Sequence, residues 1–138
     1  MMREIALWWR TMQIAAQCPL VTRVLKCQRC FEPTVARYFD GHRTSPFVEE
    51  LTEGFLSFLC SNVDSFVRSV ARLELTLARA RAGSEQTTDI LFDRNPERAF
   101  LELERSGELI PREAAALYRV KVERGVPGVA SCTREEIE

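Results

Sequence analysis

The stretch SFVRSVARLELTLARARAG, residues 65–83, constrains the fold of this chain more than any other. It has no proline or internal glycine, and only a helix gathers its Phe66, Val70, Leu73 and Leu77 into one apolar stripe. The same spacing places Arg68, Arg72, Leu75 and Arg79 on roughly the opposite side. A core explains the first face. The second face has three readings: a solvated surface, a phosphate-binding surface, or a protein interface. Leu75 among the arginines tips the balance, because an apolar residue ringed by guanidinium groups suits a partly desolvated assembly patch better than bare phosphate contact.

The segment SNVD, residues 61–64, restarts the chain before this helix with Ser61 or Asn62 as the expected cap, and Gly83 closes it. Upstream, Ser45 and Pro46 signal another helix start. Its inner face would be Phe47, Leu51, Phe55, Phe58 and Leu59, with Glu49, Glu50 and Glu53 outside. Residues 3–16 carry Ile5, Trp8, Trp9, Met12 and Ala16 at mixed spacing, an amphipathic helix with an aromatic anchor that Pro19 ends. Adjacent helical positions diverge by about 100°, so one of the two indoles is expected outside the core. Leu20 to Phe39 is apolar at helical spacing, and Pro33 is expected to kink or split it.

Beyond Gly83 the pattern changes. TDILF, residues 88–92, reads as a short strand; residues 96–104, PERAFLELE, fit a helix or a strand; and PREAA, residues 111–115, fits one added helical turn. LYRVKVERG alternates Tyr118, Val120 and Val122 against Leu117, Arg119, Lys121 and Glu123, the pattern of a half-buried strand. The glycines at 125 and 128 then turn the chain into a hairpin, with Pro127 keeping it near an edge. The expected fold is therefore α+β: a helical domain over 1–83 and a small antiparallel-sheet lobe over 84–138. Such a lobe with an accessible edge can take an extended peptide as an added strand, which makes Leu117, Tyr118, Arg119, Val120, Lys121, Val122 and Glu123 the candidate peptide-binding edge.

No constellation for catalysis is legible. The only histidine, His42, sits in a turn, and no nucleophile elbow, zinc-protease motif, P-loop or dinucleotide fingerprint is present. Cys27 and Cys30, in CQRC, have zinc or redox spacing, but a second close pair is missing, so structural thiols are the simpler reading and no metal is assigned to the chain. Five cysteines without a secretory signal argue for reduced thiols. The start MMREIALWWRTM surrounds a short apolar patch with charge, and no apolar run approaches the roughly 18 residues of a membrane span. A cytoplasmic protein is expected. A net charge of −1 gives no global positive field for nucleic acid.

The segment PFVEELTEGFLSFLCSNVDSFVRSVARLELTLARA resembles the central part of a bacterial family in which a helix ending in a phrase such as FPxFL precedes a helix reading VARLE with a later alanine. Here those phrases are GFLSFL, residues 54–59, and SVARLELTLARA, residues 69–80. The family is traditionally labelled a DNA-binding domain. Its better-understood members resemble accessory subunits of multinuclear non-haem iron oxidases that modify ribosomally made peptides, as in methanobactin and 3-thiaglutamate biosynthesis. The resemblance implies a non-catalytic chain that forms a heterodimer with an iron-dependent oxidase and presents a precursor peptide, its small lobe engaging the leader by strand addition. Iron would belong to the oxidase and no cofactor to this chain. The face of Arg68, Arg72, Leu75 and Arg79 would dock the oxidase or guide an acidic peptide. The alternatives are a DNA-binding regulator using the arginine-rich helix 62–82, and a zinc or redox module on Cys27 and Cys30.

Overall fold

The computed structural model describes residues 2–41, 48–83, 88–112, 116–122 and 130–136. Helix α1, Met2–Gln17, stops where Pro19 opens α2, Pro19–Cys27. Helix α3 spans Phe31–Gly41, and the break before it lies at Gln28 to Cys30 rather than at Pro33. Pro33 sits in the first turn of α3, where a missing N–H costs no helical bond. CQRC is itself the turn. Cys30 N–H donates to Leu25 O at 2.9 Å and Arg29 N–H to Lys26 O at 3.0 Å, with Arg29 in the left-handed region at φ 58. These paired bonds satisfy the last carbonyls of α2 and reverse the chain.

Helix α4, Val48–Leu59, buries Leu51, Phe55, Leu56 and Leu59 and half-buries Phe58. Phe47 and the expected Ser45–Pro46 start lie outside the described residues. The Tyr38 ring packs between α3 and α4, 5.6 Å from Phe55 and 5.3 Å from Phe58. Gly54 makes this possible, since a Cβ there would stand 2.2 Å from the Tyr38 hydroxyl oxygen.

Helix α5, Ser65–Arg81, is capped by Asp64, whose side chain accepts from Phe66 N at 2.9 Å and Val67 N at 3.1 Å. The expected caps Ser61 and Asn62 are displaced outward; Asn62 Oδ1 instead accepts from Asp64 N–H and steadies the cap. Gly83 follows the helix at φ 106, in the left-handed region expected of it. The buried set on α5 is wider than one stripe. It comprises Phe66, Val67, Val70, Ala71, Leu73, Glu74 and Leu75, about half the helix circumference, because α2 and α4 cover one side and strand β1, Thr88–Phe92, covers another.

Helix α6, Pro96–Ser106, resolves the ambiguous segment. Asn95 accepts from Glu97 N and Arg98 N, and Gly107 closes the helix at φ 74, so caps at both ends fix a helix that the short apolar run left open. Residues 111–112 are not helical, and 113–115 lie outside the described residues. Strands β2, Ala116–Val122, and β3, Ala130–Glu136, complete an antiparallel sheet in the order β1-β2-β3. Ile90, Phe92, Tyr118, Val120 and Val122 face the core. The fold is α+β, with helices first and a small sheet after. Its two segments share one core at Phe66, which lies 5.9 Å from Phe92 and 6.0 Å from Phe100.

Glu74 is a buried carboxylate, 8% exposed, at the start of α2. Cys18 precedes α2 without capping it by its side chain, and Pro19 has no N–H, so the first free amides are those of Leu20 and Val21. Glu74 accepts from both. Burial nevertheless dominates, pushing the carboxyl up to about 7 against those two bonds and the charge of Arg81. The same burial, helped by Glu74, raises the Cys18 thiol to about 12.

Two outcomes are expected. Between pH 4.5 and about 7 the folded chain keeps a proton on Glu74 that the unfolded chain has lost. Stability should therefore fall as pH rises through that window, by about 3 kcal/mol, and Glu74→Gln should flatten that part of the urea-unfolding profile. Gly54→Ala should cost about 1–3 kcal/mol despite the better helix former, and thermal unfolding should show a smaller cost when Tyr38→Phe removes the clashing hydroxyl.

Candidate functional site

The arginine face of α5 meets its own chain first. Arg79 Nη2 donates to Glu53 Oε1 of α4 at 2.8 Å, and Arg68 Nη1 donates to Asn62 O at 3.2 Å. Arg72 donates to the Cys60 thiol. Burial raises that thiol, and the charges of Arg72 and Arg79 oppose it. Leu75 corrects the expectation more sharply: it is 9% exposed, buried at the margin of the α5 core face rather than displayed among the arginines. Three-and-four spacing places a residue on a face but does not tell how far neighbouring elements wrap around it. The sheet against this side of α5 was the missing information.

The strand expected as the peptide-binding edge is also corrected. β2 is the central strand, paired with β1 from Thr88↔Val122 to Phe92↔Tyr118 and with β3 from Ala116↔Glu136 to Val122↔Ala130. Both its backbone sides are therefore occupied. Leu117, Arg119 and Lys121 lie on the outer face of the sheet and Tyr118, Val120 and Val122 on the core face, while Glu123 lies outside the described residues. Arg119 Nη1 stands 3.2 Å from Asp89 Oδ2 across that outer face. The edges of the sheet are β1 and β3. β1 is partly closed, because Ser69 Oγ of α5 donates to Leu91 O at 2.6 Å.

The largest departure from the sequence pattern is on α1. Trp8, Trp9 and Met12 are 60%, 58% and 53% exposed, and among the described side chains of the helix Ile14 is the fully buried one. The indoles do not anchor α1 in the core. One indole is expected outside the core and both lie outside it, because the helix turns its narrower Leu7, Ile14 and Ala15 side inward. The side chain of Ile5 lies outside the described residues.

A polar cleft of about 800 Å³ opens where the first half of α5 faces β1 and the segment after α6. Arg68, Arg72 and Arg112 line it together with Ser61, Ser69, Leu91 and Leu117. None of the three arginines forms an ion pair among the described residues. Its wall is held by Arg94, 9% exposed, which pairs with Asp93 at 2.9 Å, donates to Ile110 O at 3.0 Å, and stacks 4.8 Å from the Phe66 ring centroid. Burial would raise Asp93, but hydrogen bonds from Arg94 and Ser65 and the positive charges of Arg94 and Arg112 outweigh it and leave the carboxyl below its ordinary value. Sequence reading missed Arg94 and Arg112; the basic residue after an acid in FDRN and the one in IPRE carried no periodicity to flag them.

Cys27 and Cys30 flank the α2–α3 turn, and Cys30 Sγ reaches Gln28 Oε1 at 3.8 Å. Among the described residues no three His, Cys, Asp or Glu side chains group closely enough to hold a metal ion, and no helix is long and apolar enough to cross a membrane. His42 and the side chain of Cys132 lie outside the described residues. Comparison with protein-family models, with curated proteins and with solved structures gave no match.

The two ion pairs should differ in weight. Arg94→Leu leaves the partly buried Asp93 with Ser65 as its remaining hydrogen-bond donor and should cost about 2 kcal/mol, whereas Glu53→Gln at the exposed Arg79 pair should cost less than about 1 kcal/mol. Urea unfolding of the two variants beside the parent chain checks the contrast.

Proposed function

We propose that this chain is a non-catalytic partner protein that forms a heterodimer with a peptide-modifying, iron-dependent oxidase and helps recruit or present a ribosomally made precursor peptide. The reading rests on the sequence resemblance and on one structural observation, the exposed face of Trp8, Trp9 and Met12 on α1. Position 12 lies four residues from 8 and three from 9, so Met12 sits between the two indoles and joins them into one exposed side of α1. Tryptophan is the residue type most often responsible for interface affinity, and a contiguous apolar patch is costly to leave in water. A protein partner accounts for such a patch more directly than a small substrate does.

The iron of the complex belongs in this reading to the oxidase, and the complex works in the cytoplasm. The leader segment would add to the sheet at β3, whose outer side has no partner strand among the described residues, rather than at residues 117–123. DNA binding through α5 has weaker support, because Arg79 is engaged by Glu53 and the net charge of the chain is −1.

Size-exclusion chromatography with light scattering on the chain co-expressed with a neighbouring-gene iron oxidase should show a one-to-one complex that retains the precursor peptide. Trp8→Ser with Trp9→Ser should weaken that complex at least tenfold without lowering the melting temperature of the free chain. A chain that stays monomeric beside both oxidase and peptide would overturn the proposal.

A further inference from the structure

The cleft between α5, β1 and the segment leading to Arg112 gathers positive charge in a chain whose net charge is −1. Arg68 and Arg72 come from successive turns of α5, and Arg112 comes from the far side of α6, so the cluster exists only in the folded chain. All three are exposed, and the acid that lines the cleft among the described residues, Asp93, is paired with Arg94 and also feels the charge of Arg112. Guanidinium forks with no ion pair among the described residues, beside the Ser61 hydroxyl, form a receptor for an oxyanion.

Two other cavities among the described residues lack this character. The one of about 690 Å³ beside Tyr38 and Gly54 has Arg37 as its cation, and that guanidinium sits 5.6 Å from the Phe58 ring centroid. The one of about 360 Å³ beside Thr76 shares Arg72 but otherwise has Arg79, which Glu53 holds.

The lining also discriminates among anions. Leu91 is 47% exposed, Leu117 is half-buried on the same outer face of the sheet, and Val63 at the rim is 98% exposed. A free phosphate gains nothing from apolar neighbours. A nucleic-acid strand would ask for a longer basic track or aromatic stacking. We propose that this cleft binds an extended acidic peptide segment, a carboxylate on Arg68, Arg72 and Arg112 and an adjoining apolar side chain on Leu91 and Leu117. The inference rests on the peptide-presenting reading above and gives the kind of sequence that reading would recruit.

Fluorescence anisotropy on the full chain tests it, with a fluorescein-labelled peptide of alternating glutamate and leucine as the probe. The glutamine–leucine counterpart should bind at least tenfold more weakly, and added salt should weaken binding of the acidic probe. Arg68→Glu with Arg72→Glu, and separately Arg112→Glu, should each cost at least tenfold in affinity; should a reversal lower the melting temperature, the corresponding glutamine variants replace it. Equal binding of both peptides, or unchanged binding by all the variants, would overturn the assignment. So would displacement by millimolar inorganic phosphate but not by the same concentration of a leucine-bearing acidic dipeptide, which would give the cleft to a free oxyanion. If the oxidase complex fails to form while the probe binds as expected, the partner reading falls and the cleft stands. If the complex retains its precursor and the probe does not bind, the cleft assignment alone falls.

Discussion

The buried Glu74 carboxylate joins three helices that would otherwise have little reason to meet where they do. The α1–α2 junction needs a cap that its own residues do not supply, since Cys18 offers no side-chain acceptor contact and Pro19 no donor. A carboxylate from the middle of α5 fills that place by accepting from the amides of Leu20 and Val21. The cost is a charged group inside the core, and the raised proton affinity of Glu74 is the measure of that cost. With Glu74 fixed, the direction of α2 against α5 is fixed as well, and Val21, Val24 and Leu25 fall against Phe66, Val67 and Val70 in one core.

The other side of α5 then becomes the support for the sheet. Ser69 holds Leu91 of β1, and Phe66 packs against both Phe92 and Phe100. One helix thus serves as the wall of a helical bundle and the floor of a sheet. That double duty is why its buried arc is broad and why Arg68, Arg72 and Arg79 share a narrow strip, while Arg81 in the last turn lies off it, near Glu74.

Much of this architecture is legible in the sequence because it depends on local chemistry. Pro19, Gly83 and the alternation from Leu117 to Val122 each mark their place by a backbone preference or a side-chain period. What is not legible depends on partners distant in sequence. Leu75 is buried by elements that periodicity does not register, β2 becomes central only when β3 pairs beside it, and Trp8 and Trp9 are outside because the inner side of α1 is filled by smaller residues. The candidate cleft is the extreme case, since Arg68 and Arg112 are brought to one opening by the intervening strand and helix.

The shared core at Phe66 has a thermodynamic consequence for any molecule this protein holds. A ring packed at once against the bundle and the sheet lobe ties the opening of one to the opening of the other, so the two are expected to unfold as one cooperative unit. Free energy gained by a ligand on the sheet side is then shared by helices it never touches, and any partner seated on α1 would in turn hold the sheet closed. Occupancy at either end becomes resistance to unfolding, and so to proteolysis, along the whole chain.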